Sequence, residues 1–564
     1  MKKLLIAILI LVSPTYLYAA CTEISPGIWT PDSHSYADIV ACLADGDFTY
    51  DDTVEVPAGD GSETWASTLV ISKGMHLEGP GSGSLTIYTH ASLGISLTPD
   101  ATSVTNGHVF EIDGFTFDGG SSDDVAISLG TVGQTGYPVV NFHDNIIQNY
   151  ASASGYGTVW YQGPWKGVIH SNTWSGNDRH IMRYWGDNEP QWNWEDEYTY
   201  GTDENLFFED NTINLDTYTL SGGHSARVVV RFNQFNTMQS HFSPLWDVHG
   251  NQASYVCSMM GAEFYYNDID ANGTTEEFDI RGGRILHFGN ALINGTYYPN
   301  VYNENCNDSA ETCRRDGDTQ TFNLQNSYHF LNTDDGSVKK TTIWTYNNTC
   351  PAEMIENAQF WNTNTSFVPG TSTTLSTGIG IGTAAQMAII DTCTEGVGFW
   401  VTDEGTWNSD QVGADGRLYT CNGSNTFVLY YTPYAYPHPL RVADTTSPII
   451  TDTTPANYPC VSDPRNADIT WTTDEQANCR IGATDEGDYD LMPADSVTST
   501  DSTSHTDTES LACDQTVTRY VYCEDGSGNE AGETTITFDI LAEANPPGNP
   551  TATCTGTGGQ GGAN

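Results

Sequence analysis

One turn keeps returning along this chain. Short apolar strands end in a dipeptide that contains asparagine, and an apolar residue follows two positions later. The copies are Phe142-His143-Asp144-Asn145, Ile169-His170-Ser171-Asn172, Phe208-Glu209-Asp210-Asn211, Arg231-Phe232-Asn233, Tyr265-Tyr266-Asn267 and Phe288-Gly289-Asn290. Successive asparagines are 27, 39, 22, 34 and 23 residues apart. The shorter intervals fit one solenoid coil, and the longer ones fit a coil with an inserted loop. Asparagine suits the same turn of stacked coils because its amide can bond the copies above and below, and because it tolerates left-handed backbone. No coil can bury its apolar side alone, so stacking supplies the core. The pattern predicts an all-β fold, a right-handed parallel β-helix. A β-sandwich with asparagine-rich turns is the alternative, but sandwiches do not repeat one turn at this spacing.

Composition narrows the function. The 564 residues include 72 Asp plus Glu against 19 Lys plus Arg, a net charge of −53. Aromatics make up 11% of the chain, enough to exclude a disordered polyanion. The scarcity of clustered Lys and Arg argues against a nucleic-acid partner. Lys2 and Lys3, the apolar run Leu4 to Val12, and Ala19-Ala20 predict a secretory signal over residues 1–20. That run is too short to span a membrane stably, so no transmembrane segment is expected in the mature chain. The expected location is extracellular or at the cell surface. Cys21 after Ala19-Ala20 resembles a bacterial lipoprotein site, but Tyr18 stands where such sites carry Leu, so plain cleavage is preferred. Thirteen cysteines without a CxxC read as disulfides of an exported protein. Proximity suggests Cys21–Cys42, Cys306–Cys313 and Cys393–Cys421, and nearer the C-terminus Cys479–Cys523 and Cys460–Cys513. Cys257 and Cys350 are left to each other or free, and Cys554 is odd.

Residues 21–443 are expected to form the solenoid. Ser35 to Leu43 reads as an amphipathic helix capping the first coil. It precedes Asp52-Thr53-Val54-Glu55-Val56-Pro57-Ala58-Gly59 and Thr68-Leu69-Val70-Ile71-Ser72-Lys73-Gly74-Met75-His76-Leu77-Glu78-Gly79. This opening resembles that of pectate-lyase-like β-helix proteins. The segments Gly222 to Asn233, Asp247-Val248-His249-Gly250 and Arg281-Gly282-Gly283 look like an exported branch of that superfamily. Tyr431-Thr432-Pro433-Tyr434-Ala435-Tyr436-Pro437-His438-Pro439-Leu440 looks like its closing strand. The resemblance implies a polysaccharide setting and supplies no reaction. Around Asp444 the repeat stops. Residues 444–541 carry strand-like runs that suggest a small β-sandwich, and Tyr522 to Asn529 resembles fibronectin-type-III-like modules. Residues 542–564 read as a flexible tail.

Side chains alternate along a strand, and counting from the asparagines assigns each one a face. The third residue before each ladder asparagine (Phe142, Ile169, Phe208, Val230, Phe264) should point inward. The second (His143, His170, Glu209, Arg231, Tyr265, Phe288) and the sixth (Val139, Lys166, Asn205, Arg227, Gly261, Arg284) should point outward. His287 falls on the inward row, which suggests a change of register there. Six of the 13 Arg lie between 179 and 284. The outward face therefore reads as a groove for an extracellular polysaccharide, or as a solvated face with cross-strand charge pairs. From Tyr184 through Tyr200 there are six aromatic residues, among them Trp185, Trp192 and Trp194. They suit sugar stacking, or a lid that buries its own rings.

A β-eliminating lyase needs a cation for the uronate carboxylate, a base and a proton donor. The resemblance to pectate lyases implies Ca²⁺ held by acidic residues, with Arg or Lys as base. On that reading Arg231 or Lys166 is the base, with His170 and His143 as alternatives. Arg227 holds the carboxylate, and Glu209 ligates Ca²⁺. The pectate-lyase signatures themselves are absent, Trp246-Asp247-Val248-His249 being only superficially similar. Asn332-Thr333-Asp334-Asp335-Gly336 looks like the first polygalacturonase element, but the others do not follow. A non-catalytic glycan-binding, adhesin or surface-structural protein is the rival reading.

Overall fold

The computed structural model describes residues 21–542 apart from intervening stretches, the longest being 186–197 and 303–323. The expected signal (1–20), nearly all of the expected tail, Trp192, Trp194 and the pair Cys306–Cys313 lie outside the described residues. The chain divides into two compact units, residues 1–441 and 442–564.

The first unit is a parallel β-helix. Each coil contributes a strand to three sheets in turn. Val139–His143 lies in sheet 1, Ile146–Tyr150 in sheet 2 and Val159–Gln162 in sheet 3, and Lys166–His170 then re-enters sheet 1. Sheets 1, 2 and 3 have thirteen, eleven and ten strands. Every pairing is parallel except Cys21–Ser25 with Ile28–Pro31 at one end of sheet 1, and Thr333–Asp334 with Ser337–Val338 at one end of sheet 2. The capping helix spans Tyr36–Leu43. Ser35 caps its N-terminus by accepting from Asp38 N, and Ile39 and Cys42 are buried beneath it.

The asparagine turn joins sheet 1 to sheet 2, and it is a ladder. Asn172 Oδ1 accepts from Asn145 N (3.0 Å) and Asn145 Nδ2 (3.2 Å). Asn172 Nδ2 donates to Phe142 O, His170 O and Asn211 Oδ1. The same pattern runs through Asn211, Asn233, Asn267 and Asn290 to Asn332. Asn332 is thus a seventh rung, not a hydrolase element. The left-handed residue is the one before each asparagine: Asp144, Ser171, Asp210, Phe232, Tyr266, Gly289 and Leu331 all have φ between 50° and 68°. The asparagine satisfies carbonyls rather than absorbing backbone strain. Each rung is buried, so losing one leaves orphaned polar groups at about 1–3 kcal/mol apiece.

His287 does not break the register. It pairs with Phe264 on one side and His329 on the other. Both histidines sit fully buried in the lumen, where Tyr297 Oη meets His287 Nε2 at 2.5 Å. Burial holds both imidazoles far below their ordinary pKa, His329 at about 3, so the core carries no charge there.

The solenoid is shorter than expected. Its last strand is Phe360–Asn362, and the rest of the unit folds back on sheet 1. Ile379–Gly382, Gly398–Val401, Arg417–Cys421 and Phe427–Tyr431 form a separate four-stranded sheet. Residues 432–441 continue as a strap, not as a closing strand, and end in a 3₁₀ turn at Pro439–Arg441. Val168, Phe207, Val229, Leu286, Tyr328 and Phe330 on the outside of sheet 1 pack with Ile379, Phe399, Trp400 and Leu418 of this cover as a second hydrophobic core.

The second unit is antiparallel. Its five strands are Ile450–Thr454, Arg465–Gly482, Val497–Leu511, Gln515–Asp525 and Thr534–Ile540. They join in one sheet, because Arg465–Gly482 pairs with Val497–Leu511 along one edge and changes partner along the other, from Ile450–Thr454 to Gln515–Asp525. Ile469, Trp471, Val521 and Phe538 form its core.

Four disulfides lie among the described residues: Cys21–Cys42, Cys393–Cys421, Cys460–Cys513 and Cys479–Cys523. They point to an oxidising, extracellular setting. Among the described residues no helix is long and apolar enough to cross a membrane.

Candidate functional site

The predicted register on sheet 1 holds. His143 pairs with His170, His170 with Glu209, Glu209 with Arg231, and Val139 with Lys166. The open groove does not follow. Glu209 and Arg231 are fully buried and His170 nearly so, because the strap lies over them, and Arg227 is nearly buried against Tyr198. Arg231 Nε donates to Glu209 Oε2 (2.6 Å). Its Nη1 donates to Tyr265 Oη (2.9 Å) and Tyr434 O (2.7 Å), and its Nη2 to Ala435 O (2.7 Å). Glu209 Oε1 accepts from His438 N and Arg441 Nη1, each at 2.9 Å. Burial pushes the Glu209 carboxyl up, but Arg231, His438 N–H and Arg441 outweigh it and hold it below the carboxylate range. Burial likewise works against the Arg231 guanidinium, and Tyr265 and Glu209 outweigh it. Every Glu209 oxygen is engaged by its own chain. Arg231 and Glu209 thus act as a latch for the strap, where the sequence suggested a base and a Ca²⁺ ligand.

The other candidates are spread out. Arg227 lies against the Tyr198 ring (5.6 Å) and bonds Glu204 at 3.3 Å. Tyr198 is itself buried, and Tyr200 packs edge-on to Tyr430 and Tyr431 of the cover, so this end of the aromatic segment buries its rings. Trp185 ends a strand of sheet 3, Met182–Trp185. His143 and His170 stack with centroids 4.7 Å apart. His143 bonds Glu111 (2.8 Å) and Asp144 (2.9 Å), which outweigh burial and raise its pKa. Burial and the neighbouring His143 drive His170 down to about 2, so it stays neutral. Lys166 is partly exposed and pairs with Asp203 at 3.3 Å.

Sheet 3 carries a row that the sequence reading missed. Arg183, Ser221, Asp247, Asp279 and Asn300 are consecutive register partners on five coils. Wherever the lumen takes Trp246, Val248, Phe278 and Ile280, the residue between points outward. Asp247 and Asp279 are only 5% and 4% exposed. Asp247 lies 2.8 Å from Arg281 Nη2 and 3.2 Å from His249 Nε2. Burial raises Asp279 to about 7, reinforced by Asp247 and opposed by Arg281. Burial lowers His249 below its ordinary value despite Asp247, helped by Arg281 and Arg183. One carboxyl therefore keeps its proton near neutral pH beside another held by a guanidinium. The legible signal was an Asp between two lumen residues on consecutive coils, in Trp246-Asp247-Val248 and Phe278-Asp279-Ile280.

Among the described residues no three His, Cys, Asp or Glu side chains are grouped so as to hold a metal ion. No family model, curated protein or solved structure matches this chain, so its relation to other proteins rests on the parallel β-helix architecture itself.

Proposed function

We propose that this is an exported enzyme that cleaves acidic polysaccharides by β-elimination, with its chemistry on sheet 3. The observation that carries the reading is the stacked pair Asp247–Asp279 flanked by Arg281, Arg183 and His249. Elimination at a uronate removes the proton beside the carboxylate, breaks the bond from the adjacent ring carbon to the glycosidic oxygen, forms a double bond, and protonates the departing oxygen. Asp279 supplies that last proton, since its environment keeps it protonated near neutral pH. Neutral His249, beside Asp247, takes the carbon-bound proton. Arg281 and Arg183 offset the substrate carboxylate. On this reading the pectate-lyase resemblance extends to the chemistry, and the C-terminal unit is a fibronectin-like spacer or binder.

The carboxylate spacing favours a second reading. In-register residues on adjacent coils stand roughly 4.8 Å apart, close to the ~5–5.5 Å carboxylate separation of retaining glycosidases. One assay separates the two. Purified protein is incubated with pectate, alginate and other polyuronates, and both ultraviolet absorbance and reducing ends are followed. Elimination gives unsaturated products with new reducing ends, and hydrolysis gives reducing ends alone. Glycan retention on affinity gels without either product supports the non-catalytic binder. Asp279→Asn should lower cleavage of either kind by about 10²–10⁴-fold, and turnover at the wild-type rate would remove the site from sheet 3.

A further inference from the structure

The two ends of the solenoid differ from its flanks. Between residues 89 and 292 no large apolar side chain is exposed among the described residues. At one end Ile24, Val40 and Val70 are exposed, and at the other Tyr298, Val338 and Ile343. Scattered apolar residues are ordinary on a surface, but a set confined to two ends marks them as contact surfaces. Val70 lies in Leu69–Ile71, the first strand of sheet 3, and is 56% exposed. Beside it, where this strand meets the end of the capping helix, lies a hollow of about 70 Å³ lined by Leu43, Phe48, Val70, Ile71 and Met75. Asp45 and exposed Asp47 come just before Phe48 in the chain. At the far end, sheets 2 and 3 stop at Ser337–Val338 and Thr342–Ile343. Among the described residues each of these strands has one edge without a strand partner, a template for pairing with another chain. Ile343 pairs with Val301, which is fully buried in the lumen, yet Ile343 itself is 36% exposed. The lumen row thus ends uncovered, where solenoids need a polar cap to stay apart. Val338 is 50% exposed and precedes Lys339 and Lys340. Lys339 pairs with Asp334 at 3.1 Å, and exposed Lys340 has no ion pair among the described residues.

We propose that the solenoid stacks head to tail on a second copy of this chain, the C-terminal end of one copy seating on the N-terminal end of the next. Val338 and Ile343 cover Val70 and the hollow beside it, and Lys340 faces Asp45 and Asp47. An apolar knob at one place and a hollow at another make a heterologous contact. Such a contact leaves one free end of each kind, so copies add on as an open filament rather than closing into a dimer. Charge favours the ends over the flanks. The chain carries a net −53, which holds the flanks of two copies apart, whereas Lys340 against the two aspartates joins opposite signs. The carboxylate pair of the proposed reaction lies on interior strands of sheet 3, so assembly and chemistry stand or fall separately.

The test is sedimentation velocity of the full chain from about 1 to about 100 μM, with electron microscopy of the concentrated sample. The sedimentation coefficient should rise with concentration, and rods of stacked copies should appear. Val70→Asp and Val338→Asp alter exposed side chains at opposite ends, and each should weaken association at least about tenfold. Mixed in equal amounts, the two variants each keep one intact end, so they should pair into dimers and grow no further. Asp279→Asn should assemble as the wild type does. Thermal melts of each variant report folding. Should Val338→Asp melt early, Lys340→Glu takes its place at the same end. A wild type that stays monomeric at about 100 μM overturns the proposal, and means that another part of its own chain covers the end. Association lost in only one of the two variants means that like ends meet, and overturns it too. So does association that survives both substitutions, or a mixture that forms no dimer.

Discussion

On sheet 1 the stacked charges Glu209 and Arg231 are opposite, and on sheet 3 the stacked charges Asp247 and Asp279 are alike. Both pairs are in-register neighbours on adjacent coils, and both are buried. On sheet 1 burial strengthens an attraction, the two groups stay ionised, and the pair fastens the strap through Tyr434, Ala435 and His438. On sheet 3 burial penalises a second negative charge, so Asp279 holds its proton. The same solenoid geometry yields a latch where the signs differ and a protonated carboxyl where they match.

Four experiments can break or sharpen that contrast. The largest effect should come from Asp279→Asn, expected to lower cleavage by about 10²–10⁴-fold with no loss of thermal stability. An equal loss for Arg231→Met in a folded protein would put the chemistry back on sheet 1. Next comes the latch. Arg231→Met should cost about 3–5 kcal/mol in urea unfolding, because it takes the guanidinium from buried Glu209 Oε2 and from the Tyr434 and Ala435 carbonyls and leaves Arg441 as the remaining counter-charge of Glu209. The double variant with Glu209→Met should recover part of that, and a double as unstable as the single would argue against charge as the cause.

The third effect is on pH. In the unfolded chain Asp279 loses its proton near 3.8, and in the folded chain only near 7. Between those values the folded state holds the extra proton, so stability falls as pH rises. The total is on the order of 4 kcal/mol at ~1.36 kcal/mol per pH unit, and it stays lost above the folded value. Asp279→Asn should lack this slope, gaining on the wild type at pH 8 and not at pH 3. Parallel stability curves for the two proteins would contradict the burial of a protonated acid.

The smallest effect belongs to His143 on sheet 1. His143 is raised from 6.5 by Glu111 and Asp144. Its stabilisation is therefore complete below about 6.5 and fades as pH rises through the folded value. His143→Gln should remove about a kcal/mol or less below pH 6 and nothing at pH 9. A deficit that persists at high pH would mean the ring acts through packing on His170.

Much of the fold was legible because it is local. The asparagine turn recurs within a few dozen residues, and alternation on either side of it assigns lumen and exterior. Phe142, Ile169 and Phe208 point in, and His143, His170 and Glu209 point out. Two readings failed for physical reasons. His287 looked like a register break because an inward histidine is unusual, yet a neutral ring with a tyrosine partner fits the lumen. The closing strand at Tyr431–Leu440 was misread because its partners, Glu209, Asp210 and Arg231, lie some two hundred residues earlier, and no periodicity links them. The candidate site was less legible than the fold. Counting from the asparagines reads sheet 1 at a fixed offset, whereas the distance to sheet 3 varies with the turns between, so Asp247 and Asp279 never aligned.

The sequence by itself determined the solenoid, its register and the row each side chain belongs to, since these follow from a repeated turn and a period of two. Only the tertiary structure decided which outward rows meet solvent. That depends on where residues 363–441 settle, and they settle on sheet 1 because its later coils present Phe207, Tyr265, Phe288 and Phe330 as an apolar surface that must be covered. Covering that face turned Arg231 and Arg441 into structural ties, and it left the proposed chemistry to two aspartates on another sheet.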